Sequence, residues 1–348
     1  MSKIPIIHTT DLHHSPNDPD DHFDLAAVYA LDELDLRAVI LDYSEDDFGA
    51  SIYEPGYVPM AQLNFLTGRA VPFAVGPTNR NRLKHSNDTL EDCTLQESAG
   101  IQLLLESLRA CEEPAFITAV GSCRTIAAAY NRDPDLFQQK TRAILLVADF
   151  VRKTHNLDYN TKRDPEAMRC VWESGLPILW LPVGGNAGFH NLYAPNNGHI
   201  CASYATLLKD LDERLMKWFL RALWGNLRGD VVQALYEANR YEIFHERIGQ
   251  GCRNLFSLGR LVLLAGRELV ETPEGWRFAP EGDAPAAWTR KKMSFDPVAA
   301  RILDDFDLSM EPTSEEAARV RLYQREPGED ENEATTEAFN ALLRSIPT

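Results

Sequence analysis

Residues 9–24 read TTDLHHSPNDPDDHFD and place five aspartates and three histidines within sixteen positions. Carboxylates at that density repel one another, and two physical solutions exist. Asp, Asn, Pro and Ser are ordinary turn formers, so the stretch can be a solvated turn in which Asp20 or Asp21 caps a helix. Alternatively a cation offsets the repulsion; a hard ion such as Ca2+, which takes about 6–8 oxygen ligands, suits a set of carboxylates. His13, His14 and His22 extend the second solution toward a transition metal or acid catalysis, because histidine titrates near neutrality. The plain alternative makes them loop and helix-surface residues.

The flanking elements say where these groups must sit. Ile4 to His8 is an apolar run ending in Thr-Thr-Asp, and Phe23, Ala26, Ala27, Ala30, Leu31 and Leu34 then recur at helical spacing. That is a strand followed by a helix. Asp11 then lies at the carboxyl end of the strand, with Asp20 and Asp21 at the start of the helix, so the three converge. The alternation continues through strands at 36–41, 71–75, 115–120, 143–148 and 177–183, and helices at 60–66, 100–108, 125–130 and from Asp164. Asp164-Pro165-Glu166 supplies an N-cap, a proline at the first helical position and an acid in the first turn, and Gly175 closes that helix. Such alternation predicts an α/β fold, a doubly wound and mainly parallel sheet with helices on both faces, whose ligand site lies beyond the carboxyl ends of the strands.

Beyond residue 200 the pattern changes to helices at 205–224, 229–247 and 252–265, the hairpin ELVETPEGWRFA, a mobile acidic loop at 326–336 and a last helix at 336–345. No clean linker separates the halves. The expected organisation is one domain over 1–348, with an α/β sheet core in 1–200 and a mainly helical part, carrying the small hairpin, in 201–348 packed beside the site.

Composition limits the partners. The chain has 348 residues, 44% of them hydrophobic, and 52 acidic against 35 basic residues give a net charge of −17. It can bury a large core, and its charge argues against nucleic acid or an anionic membrane as main partner. Six cysteines without C-x-x-C spacing fit a reducing cytoplasm. Neither an apolar leader nor an 18-residue apolar run is present, so a soluble, cytoplasmic protein is expected. Internal repeats, a Walker motif and G-x-G-x-x-G are all absent from the sequence.

Three segments, in order, resemble the inosine-uridine preferring nucleoside hydrolases. The first is the strand ending in Thr10-Asp11 with Asp20-Asp21 opening an Ala/Leu-rich helix, similar to the family's D-T-D-P-G-x-D-D-A but with a loop, HHSPNDP, inserted. The second is ITAVGSCRTIAAAYNRDPDL (117–136), similar to V-x-x-G-P-L-T-N-I-A-L-A-x-x-x-x-P-x-L. The third, LDYNTKRDPEAMRCVWESGLPILWLPV (157–183), resembles E-F-N-x-x-x-D-P-E-A-A-x-x-V-x-x-x-G-x-P-x-x-x-x-P. Together they cover roughly the first 185 residues.

The resemblance implies a metal-dependent hydrolase of an N-glycosidic bond in a nucleoside or related ribosyl compound, of the kind used in purine and pyrimidine salvage. It implies Ca2+ or another divalent cation held by Asp11, Asp20, Asp21 and the Arg124 carbonyl, with Asp20 as general base toward the attacking water. Asp158 and Asn160 map to residues that hold the sugar, and Asp42 ends the second strand near a sugar-binding asparagine of the family. GGNAGFHN (184–191) follows a strand end and offers Asn186 and His190 to the substrate, or is only a glycine-permitted turn; His22 is counted with them. The family is expected to form homo-oligomers. In place of its later His-Asp pair this sequence has Arg253-Asn254. Asn254 can still give calcium an oxygen, whereas Arg253 cannot act as a general acid at neutral pH. The alternative function is therefore a non-catalytic relative that binds a sugar or nucleoside through the same cluster, or a hydrolase of a different glycoside.

Overall fold

The computed structural model describes residues 2–12, 19–43, 54–148, 158–183, 200–224, 232–236, 251–303, 308–326 and 329–348. Its first half alternates β1 (Ile4–Thr10), α1 (Asp20–Ala30), β2 (Leu34–Tyr43), α2 (Tyr57–Thr67), β3 (Phe73–Thr78), α3 (Leu95–Ala110), β4 (Ala115–Ala119), α4 (Arg124–Arg132), α5 (Pro134–Lys140), β5 (Thr141–Val147), α6 (Tyr159–Arg163), α7 (Pro165–Glu173) and β6 (Ile178–Leu181). The second half holds β7 (Ile200–Ser203), α8 (Tyr204–Leu207), α9 (Glu213–Trp224), β8 (Cys252–Leu255), α10 (Leu258–Leu264), β9 (Arg267–Thr272), β10 (Gly275–Pro280), β11 (Arg290–Lys291), β12 (Met293–Ile302), β13 (Leu308–Pro312), β14 (Val320–Arg325) and α11 (Glu329–Leu343).

One nine-stranded sheet runs β13-β12-β14-β6-β5-β4-β1-β2-β3. β1 lies between β2 and β4, parallel to both, as expected of the strands at 36–41 and 115–120. Strand β1 shows how the middle of this sheet buries both of its faces. Ile6 packs into the layer that holds Phe23, Trp218, Phe219 and Phe339, while the next residue, Ile7, packs into the opposite layer with Ile101, Ile126, Phe137 and Trp172. Successive side chains leave a strand on opposite faces, and helices cover both faces, so β1 is buried from Ile6 to Thr10, with only Ile4 and Pro5 at its start partly exposed.

The Asp164 signal is realised as read. Its side chain accepts from the Ala167 amide, Pro165 occupies the first turn, and Gly175 adopts φ 80° past the helix end. Helix α3 starts with a capping box in which the Thr94 side chain accepts from the Glu97 amide while the Glu97 carboxylate reaches back to the Thr94 amide.

The second half departs from the mainly helical expectation. β12, β13 and β14 extend the main sheet, β14 running parallel to β6 and β12 antiparallel to both β14 and β13. The expected helix at 252–265 is split: Cys252–Leu255 pairs antiparallel with Ile200–Ser203, and helix begins only at Leu258. A strand partner fifty residues away overrides the local helical pattern there. The acidic stretch read as a loop at 326–336 is helical from Glu329, because Ala334, Thr335, Ala338, Phe339 and Leu342 form a buried stripe at helical spacing. Of the helix expected at 229–247 only 232–236 are described, with a short 3-10 turn at Gln233–Leu235. The hairpin is present as β9 and β10, in register from Gly275↔Thr272 to Pro280↔Arg267.

Candidate active site

The carboxyl ends of β1, β2 and β4 assemble the acidic groups. Thr10 pairs with Leu41 and Thr9 with Ala119, so Asp11, Asp42 and the turn at 120–122 come out of the sheet side by side. Gly121 lies between the two acids. A Cβ there would stand 2.8 Å from Asp42 Oδ2 and 3.3 Å from Asp11 Cβ, an approach that only glycine permits. Asp42 is then tied to the turn, accepting from the Ser122 amide at 2.7 Å and the Ser122 hydroxyl at 2.9 Å.

Helix α1 delivers the remaining carboxylates. Asp20, Asp21 and Asp24 fall on one side of the helix at i, i+1 and i+4. The Thr10 hydroxyl donates to Asp21 Oδ1 at 2.8 Å, which holds the helix start to the end of β1. Asp11, Asp21 and Asp24 are all buried, and one carboxylate oxygen of Asp20 and one of Asp24 are enclosed with no hydrogen-bond partner. Burial, reinforced by the charges of Asp24 and Asp11, pushes Asp20 well above the usual carboxylate range. Asp21 is raised likewise, by burial and then by Asp11 and Asp20. Burial raises Asp24 to about 7, against the opposing pull of the Ser257 hydroxyl and the Arg260 charge. Such a set is stabilised by protons or by a cation.

Asp158 caps α6, accepting from the amides of Asn160 at 3.0 Å and Thr161 at 3.4 Å. The Asn160 side-chain amide donates to the carbonyls of Val120 at 3.0 Å and Val147 at 3.1 Å, clipping α6 onto the ends of β4 and β5. Both its amide protons are thereby used, so Asn160 can meet a sugar hydroxyl only as an acceptor.

Arg124 opens α4 directly after the Gly121 turn, and its fully buried side chain makes the contacts that stand out. The guanidinium donates to Asp164 at 3.0 Å, to the Pro77 carbonyl at 2.9 Å and to the Arg163 carbonyl at 3.1 Å, and lies 3.7 Å from Asp42. His22 is buried and packs on Trp218 with ring centroids 5.2 Å apart. Asn254 is an exposed residue of β8, in register with Cys201. Asn186, His190, His13 and His14 lie outside the described residues. The sequence reading passed over Asp24, although its spacing from Asp20 places both on one helix face; Ser257, which precedes α10 and donates to Asp24, and Arg260, whose charge acts on it, carry no local signal.

These residues fit a divalent cation in donor chemistry: hard carboxylate oxygens, two of them enclosed and unpartnered. Among the described residues no three His, Cys, Asp or Glu side chains are arranged to hold a metal ion as they stand.

No family model matches the chain. It is 23% identical over 240 residues, 64% of its length, to the pyrimidine-specific ribonucleoside hydrolase RihA of Escherichia coli O127:H6, of which the match covers 74%. Among solved structures it superposes on the plant nucleoside hydrolase PpNRh1 with a TM-score of 0.58 and 16% identity, covering 98% of this chain and 99% of that one. The purine-preferring ribonucleoside hydrolase from Gardnerella vaginalis gives a TM-score of 0.55 at 14% identity, covering 98% and 99%. The chain is thus similar in sequence to ribonucleoside hydrolases over 64% of its length and shares the fold of solved nucleoside hydrolases over nearly its whole length.

Proposed function

We propose that this protein is a metal-dependent hydrolase of the N-glycosidic bond of a ribonucleoside or related ribosyl compound. The observation that carries the reading is the convergence of Asp11, Asp20 and Asp21 beyond the carboxyl ends of the central strands, where folds of this class place their ligands. Asp11, Asp20 and Asp21, with the Arg124 carbonyl, would hold a calcium ion. When bound, such an ion would supply positive charge that makes a nearby water more acidic. Asp20 accepts that water's proton; its enclosed, unpartnered oxygen is suited to the task. Asp158, Asn160 and Asp42 line the neighbouring strand ends and orient the sugar hydroxyls, with Asn186 and His190, which follow β6 in sequence, as further candidates for substrate contact. The substrate is a small molecule, and homo-oligomers of a cytoplasmic protein complete the proposal.

A second reading, a relative that binds a ribosyl compound without cleaving it, is favoured by one observation. The Arg253-Asn254 segment lies on a strand with Asn254 exposed, so it supplies neither a proton to the leaving group nor an evident ligand. Release of ribose from a panel of ribonucleosides, assayed with calcium and with chelator, separates the two. Chelator-sensitive release that falls roughly 10²–10⁴-fold in Asp20→Asn is expected. Binding of ribosides with no release by the wild type would establish the binder instead.

A further inference from the structure

We propose that a basic groove at the amino-terminal ends of β1 and β2 binds a phosphate monoester of mononucleotide size, its phosphate held by Arg37, Arg69 and Lys3. The inference is independent of the catalytic reading above, because the groove lies at the other end of the sheet, about 20 Å along β2 from Asp42. Its volume is about 490 Å³, and its walls are Lys3, residues 34–37 of β2 and residues 69–72 before β3. Small-molecule sites run from roughly 300 to 1,000 Å³.

Two local devices bring the arginines there. Ile6 pairs with Leu36 but Ile7 pairs with Ala38, so Arg37 is the extra residue of a bulge, a feature rare between parallel strands. The core confirms the change of phase: Leu34 and Leu36 enter the same layer as Val39 and Leu41, while Ala38 and Ile40 enter the opposite one. Arg69 follows Gly68, whose φ of 63° ends α2, and its guanidinium lies 5.3 Å from the centroid of the Tyr29 ring. Asn64 braces that arrangement: it accepts from the Tyr29 hydroxyl at 2.7 Å and from the Val71 amide at 3.1 Å, and donates to the Val71 carbonyl at 2.9 Å. Three cations thus face one lining carboxylate, Asp35, which Arg37 meets at 2.9 Å. Glu33, the next acid along, is held by Arg267 at 2.9 and 3.0 Å. The chain as a whole carries −17, but charges beyond about 8 Å are screened at physiological ionic strength, so the local surplus decides which ligand is drawn in. Guanidinium forks match phosphate oxygens, and Leu36, Val71 and Pro72 offer an apolar wall to the ring of a nucleotide.

The test is titration calorimetry of AMP, adenosine and inorganic phosphate into the whole chain, in chelator so that cation-dependent binding at the acidic site does not contribute. AMP is expected to bind at least ~10-fold more tightly than either adenosine or phosphate. Arg37→Gln and Arg69→Gln should each weaken AMP ~10-fold or more, and Lys3→Gln ~3-fold, as charge-assisted hydrogen bonds to the phosphate are lost. Lys3 is exposed, so its variant decides the matter if both arginine variants melt below wild type. The inference is overturned by AMP that fails to bind or binds no better than adenosine, by inorganic phosphate that binds as tightly as AMP, or by AMP affinity within twofold of wild type in every folded variant. None of these results bears on ribonucleoside cleavage, which is read separately.

Discussion

Replacing Arg124 by Met tests whether the turn behind the acidic site is held by a buried charge network. The arginine is fully buried, and its partners Asp164 and Asp42 have side chains only 1% and 3% exposed. Methionine fills much of the volume and leaves both aspartates without their cation. Each retains other donors: Asp164 accepts from the amides of Leu83 at 3.0 Å and Ala167 at 3.1 Å, and Asp42 from Ser122. Those bonds temper the loss, but breaking one side of a buried ion pair typically costs about 3–5 kcal/mol, and the Pro77 and Arg163 carbonyls also lose a donor. A destabilisation of about 3–5 kcal/mol is therefore expected from denaturant unfolding. Asp164→Asn and the double variant close a cycle, in which a coupling of about 0.5–3 kcal/mol is expected for groups in contact. Loss of less than about 1 kcal/mol in Arg124→Met, or strict additivity in the cycle, would refute the network. Arg124→Lys should not restore stability, since an ammonium cannot span a carboxylate and two carbonyls in the planar fork that Arg124 uses.

Two further outcomes follow from the same structure. Gly121→Ala drives a Cβ to 2.8 Å from Asp42 Oδ2 and so pushes Asp42 and Asp11 apart; ribonucleoside cleavage is expected to fall roughly 10²-fold with the fold retained, and an unchanged kcat/KM would show that the acids are not wedged by this turn. His8 is fully buried with its pKa lowered by that burial from 6.5 to about 3. The unfolded chain therefore binds a proton that the folded chain refuses between those pH values, and stability is lost as pH falls from about 6.5 toward 3, by about 1.4 kcal/mol per pH unit. The slope of unfolding free energy against pH should be shallower in His8→Gln, and an unaltered slope would mean that His8 does not report this linkage.

What local sequence determines here is the part built from neighbours in the chain. The strand-helix alternation of the first half, the Asp164-Pro165 helix start and the placing of Asp11 against Asp20 and Asp21 all arise from periodicities and caps spanning a few residues, and the parallel sheet follows because both faces of its strands are apolar. Tertiary structure decided where the second half departs from that local reading. Cys252–Leu255 becomes a strand because Ile200–Ser203 lies beside it, β14 joins the main sheet because β6 offers a free edge, and His22 turns to Trp218 although it sits beside two site aspartates in sequence. The same holds at the site itself. Arg124 reaches Asp164, and Ser257 reaches Asp24, across separations of 40 and 233 residues; hydrogen bonds and buried charges of that kind depend on which surfaces the fold presses together, a property of packed layers that no short window of sequence contains.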